Sequence, residues 1–423
     1  MTIPSHVIAM LRRVRDRFSE TKLRDRMAPR SAPAASLRPV RTATRASVRR
    51  YWERLIADGP ATSQDRDQLV DDATLDLATA YSGNIENFIG TVKVPVGVIG
   101  PLRINGLNAL GDYHVPLATT EAALVASYGR GAAVATKAGG VSTAVLYEGV
   151  MRTPAFRLDG LLEAGLFVEW VVTHVEALKQ AAEATTRHGK LISIEPVLDN
   201  EVVFLITRFT TGDASGQNMV TIATHAMCEA IVSQCPVPIR RWYIEGNFSG
   251  DKKASFLGMV TGRGRKVSAS VTLPGAMVER YLGTTVKDML DYGRVAQMGA
   301  LLSGQMGAQA HYANGLAALY IATGQDAACV SESAVGFTRM EPVGDDLFCS
   351  VTMPNILVGS VGGGTGLPSQ AAGLNILGLR GSGHGAALAE VTAALCLCGE
   401  ISIVAAIAAG HFTRAHENLA RLR

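Results

Sequence analysis

Thr211-Gly212-Asp213-Ala214-Ser215-Gly216-Gln217-Asn218-Met219 is the stretch on which the fold turns. It reads as a glycine-containing turn opening a helix that continues through Ile222 and Ala226, with backbone N–H groups free to face an anion. It does not contain G-x-G-x-x-G, and no strand–helix–strand unit with an acidic residue about 20 positions on surrounds it. The second glycine-rich run, Val361-Gly362-Gly363-Gly364-Thr365-Gly366, fails the same test. A Rossmann fold is excluded. By themselves the two loops signal only an anion or a close backbone approach.

Working outward from that turn, residues 154–242 alternate strand-like runs (167–174 and 202–209) with helical ones (175–186 and 220–234), the order of a small α+β insert of ferredoxin-like type. On its N-terminal side, 93–101 and 115–117 read as strands. Thr119 and Thr120 then cap an Ala-rich helix that begins with Glu121 and runs through Ala135. On its C-terminal side a strand is expected at 266–273, a long helical stretch through Gln309 to Ala322, and a buried core helix over 391–409 rather than a membrane span, because Glu400 interrupts it. Residues 1–50 are rich in Arg and read as a basic helix followed by a linker. No internal repeat is visible.

Composition narrows the function classes. Lys plus Arg (40) nearly balances Asp plus Glu (37) in 423 residues, so no global field invites nucleic acid. The six cysteines (228, 235, 329, 349, 396 and 398) include no C-x-x-C pair and no metal-ligand spacing to a His. Free thiols in a reducing cytoplasm and no metal are expected. No apolar run near the N-terminus resembles a secretory signal.

Three segments carry candidate chemistry. Thr119-Thr120-Glu121 sets a carboxyl at the start of an apolar helix, where it either complements the helix dipole or acts as an acid. Asn247-Phe248-Ser249-Gly250-Asp251-Lys252-Lys253 sets cations in a Gly-containing loop, otherwise a solvated turn. Gly324-Gln325-Asp326-Ala327-Ala328 buries an Asp among small residues, otherwise a helix cap.

These segments, with Glu86-Asn87-Phe88-Ile89-Gly90, Val94–Leu102 (VPVGVIGPL), His311-Tyr312-Ala313-Asn314 and Gly410-His411, resemble in order the successive blocks of 3-hydroxy-3-methylglutaryl-coenzyme A (HMG-CoA) reductases, from about residue 80 to the C-terminus. The resemblance implies an α+β fold with non-Rossmann cofactor binding. A large helix-centred domain (51–153 and 244–400) is interrupted by a small cofactor-binding domain (154–243), with a catalytic tail at 401–423. It implies four-electron reduction of HMG-CoA to mevalonate and coenzyme A with two NADPH, NADPH being favoured over NADH. By position it assigns catalysis to Glu121, Lys252, Asp326 and His416. Substrate contacts fall on Glu86, Asn87, Arg152, Asn247, Lys253, Arg294, His311 and Asn314. Cofactor contacts fall on Asp213, Ser215, Gly216, Gln217, Asn218, Val361, Gly362, Gly363, Arg187 and Arg421. A homodimer or dimer of dimers with sites between subunits is also implied, with no nucleic-acid or membrane partner.

The chemistry suits these residue types. Hydride arrival builds negative charge on a carbonyl oxygen, which a cationic Lys252 stabilises. The departing thiolate takes a proton, a role for His416, and the aldehyde oxygen takes one from Glu121 if its pKa is raised. Departures from the family pattern fall on Glu245, where a Ser is usual and where an inward carboxylate would repel a substrate acid; on Arg294, in place of a Lys; and on the neighbours of His416 and Arg421. They leave open two alternatives, a reductase of a related acyl-CoA thioester and a non-catalytic coenzyme A- or nucleotide-binding relative.

Overall fold

The computed structural model describes residues 5–29 and 40–411. His416 and Arg421, assigned above, lie outside the described residues, as does most of the expected linker.

The described residues fold as a mixed α+β protein around eleven strands. They are β1 (Val96–Gly106), β2 (Leu110–Ala118), β3 (Val141–Arg152), β4 (Ala155–Arg157), β5 (Lys190–Asp199), β6 (Val202–Thr210), β7 (Arg241–Tyr243), β8 (Gly264–Leu273), β9 (Gly307–Ala308), β10 (Gly336–Val343) and β11 (Asp346–Ile356). β3 joins two parts of the sheet. Its first residues pair with β1 and β8, the latter leading through β11 to β10 and β9. Its last three, Val150–Arg152, pair with β6. From there the order is β7-β4-β6-β5, all antiparallel, and the chain order through this part is β-α-β-β-α-β once two short consecutive helices are counted as one crossover.

The helix Gly385–Ala408 lies against β3, β8 and β11 and is buried along nearly all of its length. It is long and apolar enough to cross a membrane, yet 78% of its most apolar window is buried inside the fold. Two carboxylates interrupt it, and both are satisfied. Glu390 accepts from Ala109 N at 2.8 Å, Asn108 Nδ2 at 2.7 Å and Thr143 Oγ1 at 3.1 Å. Glu400 accepts from Ala310 N at 2.8 Å and Thr338 Oγ1 at 2.7 Å. A smaller apolar cluster (Ala43, Val48, Trp52, Ala78 and Phe88) holds the N-terminal helices separately.

Several elements differ from those the sequence predicts. Residues 167–174, expected as a strand, lie almost wholly in the helix Leu161–Thr173. Its buried residues Ala164, Phe167 and Val171 follow helical spacing, which outweighs the local β-branched run. The strand expected at 93 begins at Val96. The helix expected to start at Glu121 starts at Leu124, after Ala123 in the left-handed conformation (φ 69°). Thr119 does not cap it; its hydroxyl instead accepts from Glu121 N at 3.0 Å. The long helical stretch before Ala322 is two helices, Val286–Ser303 and Tyr312–Thr323, separated by β9.

Candidate active site

The loop between β7 and the helix Phe256–Thr261 carries Lys252, and buried charge shapes it. Asn247 and Lys252 both adopt left-handed backbone conformations, φ 60° and 57°, uncommon for residues with a side chain. Lys252 is clamped there from both sides: its N–H donates to Glu332 Oε1 at 3.2 Å, and Ser331 Oγ donates to its carbonyl at 2.7 Å. Glu332 is in turn paired with Arg263, the two side chains being 2% and 1% exposed. The other arm of Arg263 reaches Asp251 Oδ1 at 2.8 Å, and Asp251 Oδ2 receives Arg152 Nη1 at 3.1 Å. Burial raises the pKa of Glu332, and Arg263 opposes that shift.

Held this way, Lys252 Nζ lies 2.8 Å from Asp326 Oδ2. That hydrogen bond holds the ammonium pKa above the ordinary lysine value against a smaller desolvation effect. Asp326 also accepts from Ala328 N at 3.0 Å, so the cap and the ion pair coexist. Lys253 Nζ donates to the carbonyl of Asp251 at 2.9 Å.

The two glycine-rich loops meet beside Asp326. Ala214 and Val361 form an isolated parallel bridge. Gln325 Oε1 accepts from Gly359 N at 2.8 Å, tying the Asp326 turn to the second loop. Gln217 Nε2 reaches Cys329 Sγ at 2.8 Å, tying the same turn to the first. Gly216 (φ 78°) opens the helix Gln217–Gln234 with no side-chain cap, so its first N–H groups have no side chain competing for them. Gly362 and Gly363 are exposed, and a Cβ built on either would meet nothing within 4 Å. An uncapped helix end beside open glycine backbone, with Ser215 partly exposed and Asn218 exposed at its rim, fits an anionic dinucleotide. Asp213 is committed elsewhere: its carboxylate accepts from Gly383 N at 2.7 Å and Gly385 N at 2.9 Å. Burial pushes its pKa up, but these donors and Arg265 outweigh it and hold the carboxyl below the ordinary range. Arg187 is exposed in a loop whose Thr186 contacts Met219 at the start of the same helix.

A second cluster gathers around Glu121. Its two carboxylate oxygens accept from Asn314 Nδ2 at 3.0 and 2.9 Å. A cavity of about 290 Å³ is lined by Glu121, Ser127, Arg130, His311, Asn314 and His411, among others. His311 Nδ1 lies 3.2 Å from Glu400 Oε1. Arg130, which the sequence reading missed, donates to the carbonyl of Ser402 at 2.6 Å. It is the lone cation in the middle of a helix of small and apolar residues, and that isolation was its signal.

Other expected residues stand apart. Asn87 accepts from Val40 N at 2.8 Å and Tyr51 OH at 2.5 Å, stapling the N-terminal helices, and Glu86 beside it is exposed. Arg294 is exposed on the helix Val286–Ser303 and lines a different cavity of about 350 Å³. Among the described residues no hydrogen bond or ion pair links the Glu121–Asn314 pair to the Lys252–Asp326 pair, and no group of acidic, His or Cys side chains is arranged to hold a metal.

Glu245 points inward, as the sequence raised, and onto Arg152 itself. Its Oε2 lies 3.2 Å from Arg152 Nη1 and accepts from Ser249 Oγ at 2.9 Å.

A family model for hydroxymethylglutaryl-coenzyme A reductase matches residues 48–421. The 3-hydroxy-3-methylglutaryl-coenzyme A reductase of Methanothermobacter thermautotrophicus is 41% identical over 354 residues, covering 83% of this chain and 89% of its own. That of Aeropyrum pernix is 43% identical over 354 residues, 82% of this chain and 84% of its own. Among solved structures, the class II reductase of Streptococcus pneumoniae, determined with NADPH in open conformations, superposes with a TM-score of 0.63 at 19% identity. It covers 85% of this chain and 96% of that one, a likeness of fold.

Proposed function

The chain belongs to the hydroxymethylglutaryl-coenzyme A reductase family, and we propose that it reduces HMG-CoA to mevalonate and free coenzyme A, with Glu121, Lys252, Asp326 and His416 as its acid–base set. The observation that carries this reading is the Lys252–Asp326 ion pair, set where the two glycine loops meet. NADPH, when bound, supplies the hydride for each of two reductions. Gly216, Gln217, Asn218, Ser215 and Val361–Gly363 would hold it, with Asp213 fixing the loop to the core helix rather than touching it. Arg187 and Arg421 are the cations assigned to a 2′-phosphate.

Within this scheme Lys252 faces the substrate carbonyl oxygen and stabilises the charge that develops there. Asp326 keeps its ammonium protonated and aimed. His416 protonates the leaving sulfur, and Glu121, oriented by Asn314, protonates the aldehyde oxygen. Arg152, Asn247, Lys253 and Arg294 are assigned to the acyl group, and His311 to the coenzyme A side.

Residues 154–243 form the cofactor-binding domain in this proposal. Their β-α-β-β-α-β order and β7-β4-β6-β5 arrangement support a ferredoxin-like insert. A homodimer would complete the site, a reading supported by the Glu121–Asn314 and Lys252–Asp326 pairs lying toward opposite ends of the helix Tyr312–Thr323 and by exposed Val92, Val96, Leu301 and Leu302. The free cysteines suit a reducing, cytoplasmic setting. Glu245 on Arg152 is the one feature that favours a related acyl-CoA thioester instead.

The test is NADPH oxidation with HMG-CoA, read with coenzyme A release. Two NADPH consumed per coenzyme A, abolished by Lys252→Ala, is the expected result; no oxidation by folded protein refutes it. Mixing Lys252→Ala with Glu121→Gln chains should restore part of the activity if sites form between subunits.

A further inference from the structure

Arg152 ends β3 with its guanidinium almost wholly buried, and it serves two carboxylates through one nitrogen. Nη1 donates to Glu245 Oε2 at 3.2 Å and to Asp251 Oδ2 at 3.1 Å. Both bonds are longer than the roughly 2.7–2.9 Å usual for charge-assisted N–H···O contacts, and neither uses the two-pronged geometry that makes Arg–carboxylate pairs strong. Arg152 Nε is buried with no hydrogen-bond partner, and so is the second oxygen of Glu245, Oε1. Around them the connected set holds the guanidiniums of Arg152 and Arg263 against the carboxylates of Glu245, Asp251 and Glu332. The nearby ammonium of Lys253 donates to a backbone carbonyl and keeps its charge, and that of Lys252 is paired with Asp326. Within this set Arg152 by itself faces two carboxylates. A further carboxylate entering it meets like charge that costs affinity.

We propose that Glu245 is a specificity-determining residue: it occupies Arg152 as an internal stand-in for the substrate's own carboxylate, and an acid-bearing acyl-CoA must displace it to bind. This rests on the assignment of Arg152 to the acyl group made above. Asp251 is not the displaceable partner, because Arg263 holds its other oxygen at 2.8 Å. Glu245 has no second cation, and its side chain keeps 23% exposure, a route outward. A substrate carboxylate reaching Nε and an Nη together would replace one long bond with a bidentate pair. Acyl groups without a carboxylate have no such exchange to make, so Glu245 acts against acidic acyl chains and leaves neutral ones untouched.

The test is calorimetric binding of HMG-CoA and of acetyl-CoA to the full-length wild type, Glu245→Gln and Glu245→Ser, with a melting curve for each. Both substitutions should tighten HMG-CoA about tenfold while acetyl-CoA shifts less than about twofold. In turnover, the KM for HMG-CoA should fall by more than kcat changes. HMG-CoA affinity that is unchanged or weaker in a variant that still melts normally overturns the proposal. So does an equal gain for both ligands. Glu245→Ser decides the matter should Glu245→Gln not fold. If the wild type binds HMG-CoA without oxidising NADPH, the reductase reading fails, and the binding series still rules on Glu245.

Discussion

The Lys252 loop and the glycine loops that meet beside it are held by different means. The first is fixed by side-chain charge: Arg263 and Glu332, almost inaccessible to water, with Asp251 and Arg152 beyond them. The second pair is gripped at its backbone groups, through the Ala214–Val361 bridge, Gln325 on Gly359, Asp213 on the N–H groups of Gly383 and Gly385, and Arg265 on the carbonyls of Gly212 and Val358. A charge-built loop fails when one partner is removed and the other is stranded in low dielectric. A backbone-built loop fails when a side chain is added where none fits. The two halves of the site therefore tolerate different substitutions, although both are tied to the turn that carries Asp326.

The sharpest way to break this contrast is Arg263→Met. It leaves Glu332 and Asp251 without their buried cation and should cost about 3–5 kcal/mol in urea unfolding. A change under about 1 kcal/mol would mean that the charges are not what holds the loop. Gly324→Ala comes next. The residue sits at φ 73°, and its Cβ would lie 2.3 Å from the carbonyl oxygen of Gly364. A loss of about 2 kcal/mol is expected, with weaker NADPH binding by fluorescence titration.

Asp213→Asn should cost about 1 kcal/mol at neutral pH. The folded carboxyl has a pKa below its unfolded value, so its contribution is present above the unfolded pKa and is lost as pH falls through the folded one. Wild type and variant should accordingly converge in acid; a gap that persists there would assign the loss to shape rather than charge. Smallest in stability is Lys252→Met. The Lys252–Asp326 pair is 42% and 43% exposed, so less than about 1 kcal/mol should be lost, while turnover falls at least about a hundredfold.

What could be read from the sequence follows the same division. The glycine loops, Glu121, Lys252 and Asp326 each announce themselves within a few residues, because turns and caps are local. Arg263 and Glu332 lie 69 positions apart, and Arg152 and Glu245 lie 93 apart. Sequence displays such charges without saying which meet, so the cage beneath Lys252 and the occupation of Arg152 were invisible, although Glu245 itself stood out. The boundary error at Glu121 came from reading Thr119 as a cap, when its hydroxyl closes a turn three residues before the helix. The misread strand at 167–174 is different, because Ala164, Phe167 and Val171 already carried the helical period. Asn87 drew attention as a substrate contact, and its side-chain oxygen joins the N-terminal helices, a long-range contact the sequence does not display.

The helix Gly385–Ala408 has a consequence for how the chain is made. Its carboxylates find their donors far back in the sequence, Glu390 at Asn108 and Ala109, Glu400 at Ala310 and His311. On a ribosome the first strands of the sheet therefore emerge long before the helix that fills its inner face. Until that helix arrives, the inner faces of β3, β8 and β11 lack their principal cover. Contacts spanning some 280 positions close slowly, because loop entropy must be spent before they reward it. The interval in which this protein is most exposed to aggregation, and to chaperones, is set by the synthesis of one late segment.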